Sequence, residues 1–194
     1  MRAIAEHSDK AYTLVYTKRT ALRLGMFALE RMVQVMEMTQ AGMVYADHYQ
    51  QVDGVLKPAP VIDYQPGSLR DDFDFGSVLL FNANTFKEAI KDTEEEYQYA
   101  GLYDLRLKIS QKSRLVHINE YLYTEVESDK RKSGEKQFDY VDPKNRQVQI
   151  EMEQACTNHL QEIGGYLYPI FHPVDFSSHT FEYEASVIIP VRNR

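Results

Sequence analysis

Segments typical of buried β-strands alternate along this chain with segments typical of amphipathic helices. The strand-like segments are rich in β-branched and aromatic residues: AYTLVYT at 11–17, MVYAD at 43–47, SVLLFN at 77–82 and LVHINEYLYTEVE at 115–127. Helix-like segments lie near 19–39, 85–91 and 102–110, and a further one follows Pro143. Strands that alternate with helices at these spacings predict an α/β sandwich whose sheet is mixed and mostly parallel.

Two of the predicted helices carry apolar residues at helical spacing. In the first, the residues expected to be buried are Met26, Leu29, Val33 and Met36. In the helix after Pro143 they are Val148, Met152, Cys156, Leu160 and Ile163. Because Cys156 falls on this apolar stripe, it is expected to pack in the interior and not to act as a nucleophile.

The charge balance and the cysteine count exclude several classes of protein. The 29 acidic residues outnumber the 22 basic ones, which gives a net charge of −7. This balance argues against nucleic-acid binding and against adhesion to anionic lipid, since both need a basic surface. The single cysteine excludes an intramolecular disulfide. No apolar run approaches the roughly 18 residues that span a bilayer, so we predict a cytoplasmic protein without a transmembrane segment.

The last residues of the sequence form the most specific motif. EASVIIPVRNR at 184–194 is an apolar β segment followed by Pro190 and a polar turn that contains Asn193. An ordinary buried strand is one interpretation of this pattern. The segment also resembles the opening strand of family 2 glycosyltransferases, which have the GT-A fold. In that family, the proline and the residues after it contact the nucleotide base of the sugar donor, a role that the resemblance implies for Pro190 and Asn193.

Three interior regions are similar to later parts of the same family, in the same order. They are FALERMVQVMEMTQAGMVYAD at 27–47, SVLLFNANTFKEA at 77–89, and YDLRLKIS at 103–110 followed by LVHINEYLYTEVE. The resemblance implies an incomplete three-layer GT-A-like domain over 1–165, without its N-terminal β-α-β unit. A linker over 166–183 and the first strand of a second glycosyltransferase domain over 184–194 would follow. The chain would then be part of a tandem protein.

The resemblance also implies which chemistry such a parent protein performs. It would transfer a sugar from a nucleotide sugar to a saccharide acceptor in polysaccharide assembly, with Mg²⁺ or Mn²⁺ neutralising the departing diphosphate. The family holds this metal with an acidic DxD motif after a central strand, but Lys18 and Arg19 stand there in this chain. The family's acidic pair before the next helix supplies a general base, but Gly101 and Leu102 stand there. We therefore expect a catalytically weakened copy, with no cofactor of its own, that acts at the inner membrane surface if the assembly system lies there.

A few polar residues remain as candidates for the site. Asp47 is the candidate catalytic or metal-binding residue at a strand end, and the alternative is a turn cap. Asp104 is the second catalytic candidate. Lys18 and Arg19 could hold a diphosphate by charge without a metal. Asp71 and Asp72 are candidate acceptor contacts, or else part of a solvated acidic loop.

Two other functions stay open at this stage. One is an active glycosyltransferase that uses Asp47 and Asp104 in displaced roles. The other is a non-catalytic assembly module, because exposed strand edges can pair with a second chain.

Overall fold

The structure, a computed structural model, describes residues 1–91, 96–126 and 146–173. The elements are α1 (Arg2–His7), β1 (Tyr12–Tyr16), β2 (Leu22–Leu24), α2 (Ala28–Thr39), β3 (Met43–Val52), β4 (Val55–Ala59), β5 (Val78–Asn82), α3 (Ala83–Lys91), α4 (Gly101–Lys112), β6 (Leu115–Val126) and α5 (Arg146–Glu162). The predicted second-domain strand, with Pro190 and Asn193, lies outside the described residues, as does most of the linker.

The strands form one sheet in the order β1-β5-β3-β6-β2, with β4 paired to β3. The prediction of a mixed sheet is confirmed, but fewer strand pairs are parallel than predicted. Among the described strands only β3 and β6 run parallel, and the other pairs are antiparallel. The chain reverses direction at the turn between β3 and β4, and β5 then runs in the same direction as β4, antiparallel to β3. The connection over 60–77, which joins β4 to β5, contains no helix.

Helices cover both faces of the sheet. On one face, Ala28, Met32 and Met36 of α2 pack against the inward side chains of β3, β5 and β6. On the other face, α3 and α4 bury a second apolar cluster that includes Phe86 and Leu105. Helix α5 packs on the outside of α4. None of the helices in the described ranges is long and apolar enough to cross a membrane.

Helix α2 begins at Ala28, later than the sequence pattern indicates. Residues Leu22–Leu24 pair with β6 instead, and the Gly25 N–H extends this pairing by donating to the Leu122 carbonyl. Phe27 adopts a left-handed conformation (φ 58°) at the start of the helix. The prediction that Met26 and Leu29 are buried is wrong, because they are 86% and 39% exposed. Sheet pairing thus overrides the helical periodicity at this end.

Helix α5 turns a different face inward from the one predicted. The buried residues are Glu151, Ala155 and His159, one position before the apolar stripe, so Cys156 is only half-buried. The Glu151 carboxylate accepts hydrogen bonds from the N–H groups of Tyr99 (2.7 Å) and Ala100 (3.2 Å). Glu151 therefore satisfies backbone donors at the start of α4, where the first turn of a helix has no partners of its own.

Three strands of the described sheet, β1, β2 and β4, have a single neighbour, and β1 and β2 lie at the two ends of the strand order. Each carries a leucine, Leu14 or Leu24, with an exposed side chain. Self-association through these edges stays a prediction.

Candidate functional site

The structure brings together polar side chains from three strands. Lys18 follows β1, His48 lies in the middle of β3, and Glu125 lies near the end of β6. These three strands run in the same direction, since β5 is antiparallel to both of its neighbours. Their carboxyl ends consequently meet at one edge of the sheet, where ligand sites of α/β proteins tend to form.

A buried carboxylate holds the cation that follows β1. The Lys18 ammonium forms an ion pair and a hydrogen bond with Oε2 of Glu125. The Lys18 side chain is 36% exposed, whereas that of Glu125 is 1% exposed. His48 Nε2 lies 3.5 Å from the other Glu125 oxygen. The family resemblance predicts metal-binding carboxylates at this position. This chain instead has the Lys18 ammonium group, and the buried Glu125 carboxylate neutralises its charge. Arg19, the other candidate for binding diphosphate, is exposed beside it.

Sequence reasoning missed Glu125. It lies 107 residues from Lys18 and inside an apolar strand segment, where alternation gives no reason to expect a partner for a distant lysine. A charged residue within a buried strand was the only signal in the sequence, because such a residue usually has an ionic or hydrogen-bonding partner.

Polar groups with unused hydrogen-bonding capacity surround this ion pair. Within the described residues, His48 Nδ1, Ser77 Oγ and Glu125 Oε1 are buried without a hydrogen-bond partner. The Tyr123 hydroxyl accepts a hydrogen bond from the Ser77 N–H (2.9 Å), and its ring stacks on His48 with 5.0 Å between centroids. Burial raises the pKa of Tyr123 to about 12. Gly76 has a φ of +71°, and a Cβ there would lie 2.2 Å from the Tyr123 hydroxyl oxygen.

Asp47 lies in the middle of β3, so the prediction that it ends a strand is wrong. It attaches the chain after β4 to the sheet. Its side chain is almost fully buried, and Oδ1 accepts a hydrogen bond from the Val61 N–H at 2.9 Å. The same oxygen lies 2.9 Å from His117 Nε2. His117 Nδ1 in turn lies 2.7 Å from Oδ1 of Asp63, whose side chain is 80% exposed. This Asp-His-Asp chain links β3, β6 and the segment after β4. Within the described residues, no group of three His, Cys, Asp or Glu side chains is arranged to hold a metal.

Asp104 lies in different surroundings from Asp47. It is buried on α4 and lines a surface cavity of about 400 Å³. The other walls of this cavity include Met1 and Arg2 of the N-terminal segment and Ile90 of α3. Asp47 instead faces β6 and the segment after β4, so the two catalytic candidates contact different elements.

Asp71 and Asp72 line a second groove, between the segment 69–72 and α5. Its volume is about 560 Å³. The Arg70 guanidinium bonds both oxygens of Asp72 at 2.9 Å, and this lowers the pKa of that carboxyl group. The groove is lined by Leu69, Arg70, Asp71, Asp72, Tyr103, Gln149, Met152, Glu153 and Cys156.

Arg106 of α4 holds the wall of this groove in place. Its guanidinium donates to the carbonyl of Ser68 (2.9 Å) and to that of Arg70 (2.7 Å). The guanidinium carbon lies 4.8 Å from the ring centroid of Tyr103, whose hydroxyl donates to the Leu69 carbonyl. Burial lowers the pKa of Arg106 and raises that of Tyr103. The wall is therefore fixed by three hydrogen bonds to its backbone carbonyls.

In comparisons with known proteins, no family model and no curated protein matches the chain. The resemblance to family 2 glycosyltransferases thus depends on the sequence motifs of this chain alone.

Proposed function

We propose that this chain is a GT-A-type domain, similar to family 2 glycosyltransferases, that binds saccharide without itself transferring a sugar. The observation that carries the proposal is the Lys18–Glu125 ion pair at the carboxyl end of β1. In the resembled family a divalent cation would be held there by carboxylates. A lysine paired with a buried carboxylate provides no free carboxylate to bind a divalent cation there.

The electrostatics favour the absence of a metal at this position. An unpaired ammonium group would repel a divalent cation about 4 Å away by about 8 kcal/mol at an effective dielectric constant of about 20. The Glu125 carboxylate offsets much of this repulsion, so the pair leaves the position without the excess negative charge that binds a metal. Glu125 offers no alternative ligand, because a metal at its carboxylate would displace Lys18. Without the metal, the charge that develops on a leaving diphosphate has no strong counter-charge, and transfer would be slow.

The position expected for the general base supports the same proposal. Leu102 has no group that can accept a proton, and Asp104 lies in α4 beside the N-terminal segment and α3. What remains is a scaffold with a groove lined by hydrogen-bonding side chains, which suits binding better than catalysis.

The test is a calorimetric titration of the protein with UDP- and GDP-linked sugars, with and without Mn²⁺. We expect no metal-dependent heat and no released nucleotide. Micromolar, metal-dependent binding with turnover would contradict the proposal.

A pair of variants isolates the role of the cation. Lys18→Asp combined with Glu125→Gln replaces the ion pair by one carboxylate at the strand end, and we expect it to bind Mn²⁺ more tightly than the unmodified protein. Lys18→Asn with Glu125→Gln is the matched control of the same size without that charge. Electron paramagnetic resonance of free Mn²⁺ measures both. Equal affinity in the two variants would show that a carboxylate at position 18 does not create a metal site. Equal affinity in the unmodified protein and the Lys18→Asn, Glu125→Gln control would show that the ion pair does not decide metal binding.

An active enzyme remains the second candidate, favoured by one contact. Asp47 lies 2.9 Å from His117, and a carboxylate-imidazole pair of this kind can move a proton. If the chain transfers sugar through this pair, Asp47→Asn will abolish the transfer. An unchanged rate would exclude that role.

A further inference from the structure

The groove between residues 69–72 and α5 has the size and shape of a site for a small ligand. Its volume of about 560 Å³ lies within the roughly 300–1,000 Å³ typical of small-molecule sites. It is separate from the Lys18–Glu125 cluster, as none of its lining residues belongs to that cluster.

The lining combines apolar and hydrogen-bonding groups. Leu69, Tyr103 and Met152 contribute apolar and aromatic surface, while Asp71 and Gln149 contribute side chains that exchange hydrogen bonds. A pyranose ring presents the same combination, with C–H groups on its faces and hydroxyl groups around its edge. Aromatic and apolar surface with a few polar groups is also the usual composition of a ligand pocket.

The charges of the groove select among saccharides. Among the described residues, its charged lining residues are one cation, Arg70, and three carboxylates, Asp71, Asp72 and Glu153. Arg70 is already paired with Asp72 by two hydrogen bonds, and the Arg106 guanidinium behind the wall offsets part of the charge of Asp71, so these residues leave a small excess of negative charge. Such a groove disfavours uronic acids, sugar phosphates and nucleotide diphosphates, because like charges brought together without a partner are costly.

Side chains of α4 fix the backbone of the groove wall in the absence of a ligand. Arg106 bonds the carbonyls of Ser68 and Arg70, and Tyr103 bonds that of Leu69, so three consecutive residues are attached to α4. A fixed wall lowers the entropy lost on binding.

From this geometry we propose that the groove binds a saccharide made of pyranose units without anionic groups, and that it excludes the nucleotide part of a donor. The proposal rests on the saccharide-binding function proposed above and assigns that binding to one place. Asp71 and Glu153 are the residues expected to set the discrimination against anionic sugars.

Cys156 provides a reporter, since it is the single cysteine of the chain and lines the groove. The experiment measures the rate of alkylation of Cys156 by iodoacetamide, an uncharged reagent, on the full chain. The probes are chitobiose as a neutral disaccharide, a glucuronate-containing disaccharide as its anionic counterpart, and UDP-glucose. We expect chitobiose at about four times its Kd to slow alkylation about fivefold, because only unliganded groove reacts. The glucuronate disaccharide and UDP-glucose should leave the rate unchanged at the same concentration.

Two variants connect the effect to the groove. Asp71→Asn with Glu153→Gln should bring protection by the glucuronate disaccharide to within about twofold of that by chitobiose, because the repulsion is gone. Asp9→Asn removes an exposed carboxylate on the N-terminal segment and should behave like the unmodified protein. Both substitutions are at exposed carboxylates, and equal thermal midpoints will verify that the folds are intact.

The outcomes separate this proposal from the proposed function. No protection by chitobiose, or equal protection by the anionic disaccharide in the unmodified protein, overturns the groove assignment and leaves the metal result standing. Metal-dependent turnover together with protection overturns only the claim that the domain is inactive. Protection by chitobiose alone, lost discrimination in the double variant and unchanged discrimination in Asp9→Asn support the proposal.

Discussion

Replacing Lys18 with methionine tests whether this residue is a structural cation. The substitution keeps the length of the side chain and removes its charge, so the Glu125 carboxylate, 1% exposed, loses its closest partner. Among the described residues, the ion-pair partner that remains is His48, whose Nε2 lies 3.5 Å from the other oxygen. Breaking a buried ion pair by removing one partner costs about 3–5 kcal/mol. Because Lys18 is 36% exposed, water can partly replace it, and we expect a loss near the lower end, about 3 kcal/mol.

Urea unfolding followed by far-ultraviolet circular dichroism measures this loss. With a slope of about 2 kcal/mol per molar, a loss of about 3 kcal/mol lowers the midpoint by about 1.5 M. The matched control is Arg19→Met at the neighbouring exposed cation, which should change the free energy of unfolding by less than about 0.5 kcal/mol.

A double-mutant cycle shows whether the effect belongs to the pair. Lys18→Met combined with Glu125→Gln removes both charges, so it should recover a large part of the stability that Lys18→Met loses. The reasoning is refuted if Lys18→Met behaves like Arg19→Met, or if the two substitutions are additive.

Three further substitutions test the fixed parts around the site. Asp47→Ala should lower the free energy of unfolding by about 2–3 kcal/mol, since it leaves a buried N–H and an imidazole without an acceptor. Asp63→Ala, at an 80% exposed carboxylate, should cost less than about 0.5 kcal/mol, and a similar loss for both would contradict the assignment. Gly76→Ala should cost at least about 2 kcal/mol, from its positive φ and a 2.2 Å clash, whereas Gly54→Ala, at φ +79° with open space around it, should cost about 1 kcal/mol. Two backbone N–H groups hold the pKa of Glu151 below its ordinary value of 4.5, so its contribution to stability is present above that pH and is lost as the pH falls through the lowered pKa. Glu151→Gln should therefore be less stable than the unmodified protein at pH 7 and equally stable in acid, and a difference that persists in acid would contradict this origin.

The strand positions follow from local composition. The segments at 11–17, 43–47, 77–82 and 115–127 all contain strands in the structure, because β-branched and aromatic runs suit a pleated, buried surface. Their directions do not follow from composition. β5 runs antiparallel to both neighbours because the chain already reverses between β3 and β4 and keeps that direction in β5, and the sequence pattern of the connection over 60–77 is compatible with either direction.

Helical periodicity located the helices but did not determine which residues they bury. In α4 every residue from Tyr103 to Ile109 is buried, because both α3 and α5 pack on it. At the start of α2, Leu22–Leu24 pair with β6 and displace the helix. On α5, the buried Glu151 serves backbone donors of α4, which a search for apolar stripes does not detect.

Some features of the candidate site follow from local sequence, and others depend on the tertiary structure. The sequence alone places Lys18 after β1 and Asp47 in β3, since each position depends on residues close to it in the chain. It also establishes that carboxylates are missing at Lys18 and Arg19. That Lys18 is paired with Glu125, 107 residues away, depends on the order and direction of the strands between them. Burial of Glu125 among these strands removes it from water, and this makes an ion pair with Lys18 the state of lower free energy.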